Sequence, residues 1–155
     1  MNTKLFCAVI FSLFAFCESV CPNGWVRYEH SCYHFGHTAY NFLDSQRHCE
    51  HYGASLVNLE SKDESDFLRG FLMLLSDQQH WIGLSDGTNE GIWTWYPSEK
   101  RAEYTDWDHG QSNDGTGANC GAIVASHNYH WVDVPCSRQF KPVCELVDDQ
   151  SIIVG

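Results

Sequence analysis

From position 38 to 75 the hydrophobic residues recur at helical spacing; from position 81 on they gather into short runs separated by turn residues. In "HTAYNFLDSQRHCEHYGASL", Tyr40, Phe42 and Leu43 follow Thr38, and Gly53 provides a stop. This pattern predicts a helix capped at Thr38 and ending near Tyr52. In "SKDESDFLRGFLMLL", Ser61 and Glu64 form a capping-box pattern, and Phe67, Leu68, Phe71, Leu72 and Leu75 share one face. A second helix follows. Before both, "CPNGWVRYEHSCYHF" carries an Asn-Gly turn signal and alternating aromatics, the pattern of a small hairpin. The later runs "WIGL", "IWTWY", "GAIVA", "HWVDV" and "KPVCEL" are strand candidates. Between Ser98 and Cys120 there is almost no periodicity, and a loop of that length inside one domain is usually functional. Two helices, short strands and a long irregular loop make an α+β domain, and 155 residues fit one such unit.

The first residues change the picture. Lys4 precedes an apolar run from Leu5 to Phe16, too short to span a bilayer and arranged like a secretory signal peptide. Residues 1–19 are therefore expected to be removed, by cleavage after Cys17 or after Ser19, leaving a domain over 20–155 with its core at 21–146 and a short tail. A secreted, extracellular chain without a membrane anchor is the expectation. Removal takes away Cys7 and Cys17 and leaves six cysteines: Cys21, Cys32, Cys49, Cys120, Cys136 and Cys144. In an exported chain an even number reads as a disulfide framework, although six cysteines allow about 15 pairings. There is no Cys-x-x-Cys pair to suggest a zinc ribbon or a redox site. The mature chain keeps eight basic residues against 20 acidic ones if Glu18 is kept, and 19 if it is not. That balance disfavours nucleic acid and anionic membranes and suits cations.

The segments "CPNGWVRYEHSCY", "CEHYGASLV", "WIGL", Trp107, Cys120, "WVDVPC" and "PVCEL" come in an order and spacing that resemble the C-type lectin-like domain family. The resemblance spans Cys21 to Leu146 and extends, within that family, to small secreted invertebrate lectins, including molluscan perlucin-like proteins. It implies the pairings Cys21–Cys32, Cys49–Cys144 and Cys120–Cys136. Trp81, Trp93, Trp95 and Trp107 are expected to pack beneath the loop as core residues, since tryptophan is mostly buried.

The family's sugar site is a calcium ion held by side-chain oxygens, with the ligand's hydroxyls completing its shell. What the resemblance implies at those positions is mixed. The triplet that is Glu-Pro-Asn or Gln-Pro-Asp in relatives is Gln111, Ser112 and Asn113; an expected acid is Ala118, with Asn119 beside it. The expected Asn-Asp pair after Trp131 is Val132 and Asp133. Gln111, Asn113, Asn119 and Asp133 can still hydrogen-bond a sugar, with Tyr129, His127 or His130 offering a ring face. Ala118 and Val132 cannot ligate calcium, so the principal ion position is eroded. Ser112 replaces a proline whose cis bond aims its neighbours; before serine that bond costs about 2.5 to 4 kcal/mol. Asp86, Glu90 and Asp114 match an auxiliary calcium position.

The pairs His34 and His37, His48 and His51, and His127 and His130 are each three apart, but no further metal ligand accompanies them. No Gly-x-Ser-x-Gly or His-Glu-x-x-His motif is present, so no enzyme is expected. The chain is expected to bind glycans as a secreted lectin, or else protein or mineral surfaces as a lectin-like module. With all six cysteines paired, any homo-oligomer is expected to be non-covalent.

Overall fold

Helix α2 (Lys62–Leu75) begins where its own side chains satisfy its first backbone donors. In the computed structural model, which describes residues 5–7, 17–112 and 115–148, the Ser61 hydroxyl accepts the Glu64 N–H at 3.2 Å. The Glu64 carboxylate reaches back to the Glu60 N–H at 3.1 Å, so the box closes one residue earlier than its usual form. Ser76 ends the helix in a left-handed conformation, φ 53°. Leu68 and Leu72 are fully buried, and Phe67 and Phe71 pack at the edge of the same cluster. Leu75, expected on that face, is exposed: it is the last helical residue, beside the cap that turns the chain away.

Helix α1 (Phe42–His51) starts later than its spacing predicts. Its cap is Asn41, whose Oδ1 accepts the Asp44 N–H at 2.9 Å, and not Thr38. The cause is tertiary. Tyr40 exchanges two backbone hydrogen bonds with Phe140, 2.9 and 3.0 Å, which keeps the chain extended up to that point. The end is as expected, at Tyr52 before Gly53 with φ 72°.

The predicted hairpin is β3 (Val26–Tyr28) and β4 (Ser31–Phe35), but its turn is Glu29–His30. Asn23 and Gly24 form an earlier turn, closed by the Trp25 N–H on the Pro22 carbonyl at 3.0 Å. The remaining strands are β5 (Ser55–Leu56), β6 (Gln79–Ser85), β7 (Thr94–Trp95), β8 (Lys100–Arg101), β9 (Cys120–Val124), β10 (His130–Val134) and β11 (Lys141–Val147). Towards the N-terminus β1 (Leu5–Cys7) pairs antiparallel with β2 (Cys17–Ser19), apart from the main sheet.

The main sheet runs β10-β9-β6-β11-β4-β3, with β5 on β11 and β7–β8 extending from β6. Its pairs are antiparallel except β6 with β11, which run parallel. Alternation along the strands divides the core. Ile123 and Trp131 join Leu68 and Leu72 in one cluster; Ala122 and Val132 join Phe42 and Cys49 in the other. The stretch between Ser98 and Cys120 contains, among the described residues, only β8, a single-residue bridge from Trp107 to Trp131 and a 3₁₀ turn at Gly115–Gly117.

Three disulfides connect the described residues: Cys21–Cys32, Cys49–Cys144 and Cys120–Cys136, the pairings implied by the resemblance. Chain-entropy reasoning ranks them by the loop each closes: 11, 95 and 16 residues. Removing both Cys49 and Cys144 as alanines is expected to lower unfolding free energy by about 4 to 5 kcal/mol, against about 3 for either short bridge. Denaturant titration of the three double variants checks the order.

Candidate functional site

Because β9 runs antiparallel to both β6 and β10, the last residues of those strands lie beside the first residues of β9. Asp86, just after β6, therefore meets Asn119, just before β9, and Asp133 stands in register with Gly121. Backbone and side chain both fasten this junction. The Asn119 carbonyl accepts the Ser85 hydroxyl at 2.8 Å and the Asp86 N–H at 3.3 Å. Asp86 Oδ2 accepts the Gly91 N–H at 2.9 Å and so closes the loop between them. The Cys120–Cys136 bridge fixes the start of β9 to the segment after β10.

The long loop is laid alongside β10 by tryptophans. The Trp131 N–H donates to the Asp106 carbonyl at 3.0 Å, and the Asp108 N–H donates to the Trp131 carbonyl at 2.9 Å. Residues 106–108 thus run parallel to β10 and lead toward its Asp133 end. The Gln111 N–H then bonds the Asp108 carbonyl at 2.9 Å. Beneath, Trp107 packs edge-on to Trp93 and Trp131, with ring centroids 4.7 and 5.8 Å apart. Trp81 and Trp95 are fully buried, and Trp93 and Trp107 partly so, which is the floor expected of them.

The sugar-site candidates divide by exposure. Gln111 and Asn119 are half-buried, whereas Asp133 is only 4% exposed. Ser112, next to Gln111, has φ 26°, a conformation that costs a non-glycine residue energy and is often found at ligand loops. Asn113 and Asp114 lie outside the described residues. Ala118 and Val132 are 3% and 4% exposed, so these two positions present buried apolar groups where a calcium shell needs oxygens. The principal ion position does not fit a calcium ion.

At the auxiliary position the fit is partial. Among the described residues no group of three or more His, Cys, Asp or Glu side chains is arranged to hold a metal. Glu90 is exposed. Asp86 Oδ1 and Asn119 Oδ1, on adjoining residues, are buried and have no hydrogen-bond partner among the described residues. Two such oxygens suit a hard cation, because each otherwise bears an unrelieved desolvation cost.

The three candidate ring faces sit elsewhere. His130 opposes Val124 at the far end of the β9–β10 pair from Asp133 and Asn119, roughly 13 Å along a five-residue strand. His130 Nδ1 lies 3.1 Å from Asp106, which also accepts from Arg69. His127 Nδ1 lies 2.6 Å from Asp108; that hydrogen bond is the main cause holding the Asp108 carboxyl below its ordinary range. Tyr129 follows His127 at the same end. The two imidazoles fasten the stem of the loop, and all three residues lie at the end of the strand pair away from Asn119. Among the other histidines, His34 meets both His37, edge-on, and His48, stacked, each at 6.3 Å between ring centroids.

Sequence spacing missed Ser85 and Gly91, the two residues that lock Asn119 and Asp86 in place. The Ser-Asp-Gly run at 85–87 carries the signal, since an Asp that bonds its own downstream backbone is a loop-closing device.

The sequence model of the family described as Lectin C-type domain matches residues 38–146. A perlucin-like protein of Mytilus galloprovincialis is 31% identical over 80% of this chain and 81% of its own length. Among solved structures, the cow C-type carbohydrate-recognition domain of CD23, in the presence of GlcNAc2Man3 oligosaccharide, superposes with a TM-score of 0.73. It is 30% identical and is matched over 83% of this chain and 96% of its own. A calcium-independent type II antifreeze protein has a TM-score of 0.75 at 24% identity, over 83% of this chain and 95% of its own; it shares the fold.

The buried state of Ala118 and Val132 fixes the outcome of rebuilding the principal shell. Ala118→Glu with Val132→Asn is expected to lower stability by about 3 kcal/mol without calcium, since polar groups enter sites with no partner. Saturating calcium is expected to restore about that amount through linkage. Thermal melts of wild type and variant, with calcium and with chelator, check both halves.

Proposed function

The chain belongs to the C-type lectin domain family, and from that premise we propose that it is a secreted lectin recognising glycans on microbial or cell surfaces without a calcium ion bridging protein and sugar. One observation carries the reading. Two hydrogen-bonding side chains stay half-exposed, Asn119 at the strand-end junction and Gln111 on the loop that leads toward it, while Ala118 and Val132 remove the oxygens a bridging ion would need. Recognition then rests on direct hydrogen bonds from Gln111, Asn113 and Asn119. Asp133, at 4% exposure, is the buried member of the set. The CD23 domain, described together with an oligosaccharide, supports a glycan as the ligand class.

In this reading calcium has a structural place only, with Asp86, Glu90 and Asp114 as its carboxylates; at Asp86, which meets Asn119, it would relieve the two unpartnered oxygens and stiffen the junction. Three disulfides suit an oxidising, extracellular setting. No helix among the described residues is long and apolar enough to cross a membrane. Each site of this kind is weak alone, so glycan surfaces would be held through several copies, assembled non-covalently because the six cysteines are used within the chain.

A second reading draws on the burial of Asp133, which withdraws from the surface the acid that follows Val132. It makes the chain a lectin-like module for protein or mineral surfaces, in keeping with its perlucin-like relative.

A glycan array run first with calcium and then with chelator separates the two. Under the lectin reading binding survives chelation, and Gln111→Ala, Asn113→Ala and Asn119→Ala each weaken it by about 1 kcal/mol. Asp86→Asn with Glu90→Gln leaves glycan binding in place but abolishes the calcium-dependent rise in melting temperature, whereas Asp133→Asn keeps that rise. An array blank in both conditions would favour the second reading.

A further inference from the structure

A cavity of about 280 Å³ is walled by the β3–β4 turn, the β5–α2 connector, the first turn of α2, and β11. None of the candidate sugar or metal residues lines it. Four carboxylates do: Glu29, Glu60, Glu64 and Glu145. Glu145 sits on β11, in register with Tyr33 of β4 and Ser55 of β5. Its Oε1 accepts the Ser31 hydroxyl at 2.7 Å, and its Oε2 accepts the Asn58 N–H at 3.1 Å. One carboxyl group thereby joins three parts of the fold, including the connector that runs into the Ser61 cap of α2.

The groups facing this carboxyl come from every packed element. The β3–β4 turn brings Glu29 and His30, and β4 brings Ser31 and Tyr33. The connector brings Asn58 and Glu60, and α2 brings Glu64, which accepts the Tyr33 hydroxyl at 2.7 Å. Ser55 meets Glu145 as its register partner in β5. No lysine or arginine lines the cavity among the described residues. The nearby cation is Lys100, and its ammonium is held by Glu60 at 2.7 Å.

We propose that Glu145 is a pH-sensitive latch: as the neutral acid it lets the connector and the first turn of α2 close over β11, and when ionised its repulsion of Glu64 across the cavity works against the bonds from Ser31 and Asn58 and loosens the connector. The Ser31 hydroxyl serves both states, because it can donate to the carboxylate or accept from the acid. Burial is the chief cause that pushes the Glu145 carboxyl up to about 7, with Glu64 and Glu60 adding to it against the bonds from Ser31 and Asn58. Burial likewise raises Glu64. The sign follows from linkage. A folded state that binds the proton more tightly than the unfolded chain is favoured at low pH. The stability Glu145 contributes is complete below its ordinary value of about 4.3 and is lost as pH rises through about 7.

The test uses the folded, disulfide-bonded chain with ¹³C-labelled glutamate, read by NMR. The Glu145 side-chain carboxyl is expected to titrate near pH 7, two or more units above exposed glutamates. The exchange protection factor of the Asn58 N–H is expected to fall at least tenfold between pH 6 and 8 in wild type and to stay level in Glu145→Gln. Glu64→Gln is expected to move the Glu145 midpoint down. A Glu145 midpoint in the ordinary glutamate range, or an equal loss of Asn58 protection in Glu145→Gln, would overturn the latch. Should Glu145→Gln fail to fold, the wild-type titration decides alone.

Discussion

The last strand of the chain has to be threaded into the middle of the sheet, and the fold depends on its staying there. β11 lies between β6 and β4, carries β5 on its flank, and is bound to α1 through Cys49–Cys144. Among the described strands it is the latest to be made, and it pairs with three others, as β6 does. A bridge closing 95 residues removes more freedom from the unfolded chain than either of the others. With β11 fixed, β6 is fixed beside it, and the β6–β9–β10 ends then define the junction that holds Asp86, Asn119 and Asp133. Glu145 follows Cys144 directly, so the same strand that is stapled to α1 also carries the proton-sensitive contact to the α2 connector.

Much of this was legible in the residues because it is local. The Ser61 cap and the apolar stripe of α2 need only neighbours within one helix, and the strand runs around Trp81, Ile123 and Trp131 are read from short apolar stretches. What sequence misplaced was decided by partners far along the chain. Asn41 replaces Thr38 as a cap because Phe140 holds Tyr40 extended, a contact 100 residues away that no window around position 40 contains. The Asn-Gly pair is a true turn signal, but the hairpin turn fell at Glu29–His30 once Val26 paired with Tyr33.

The site shows the same division. The oxygen-bearing positions could be named from the chain, and the pairing of the cysteines came through the family resemblance. Exposure could not. Asp133 looks like a ligand in sequence and is buried in the fold, whereas His127, Tyr129 and His130 are near it in number but at the other end of the strand pair. Antiparallel pairing is the reason: residues separated by a few positions along one strand are carried steadily away from a site at its end. The acidic cavity around Glu145 draws its side chains from three stretches far apart in the chain, 28–33, 58–64 and 145–147, and has no signature in any of them.

The central claim is that the strand-end junction meets a sugar directly. Amide NMR shifts of the chain, titrated with methyl mannoside and methyl galactoside in the presence of chelator, test it most plainly. The account expects one of the two sugars to shift the Gln111 and Asn119 resonances to the same degree with and without calcium. Shifts that arise only when calcium is restored, or none at that junction with either sugar, would contradict it.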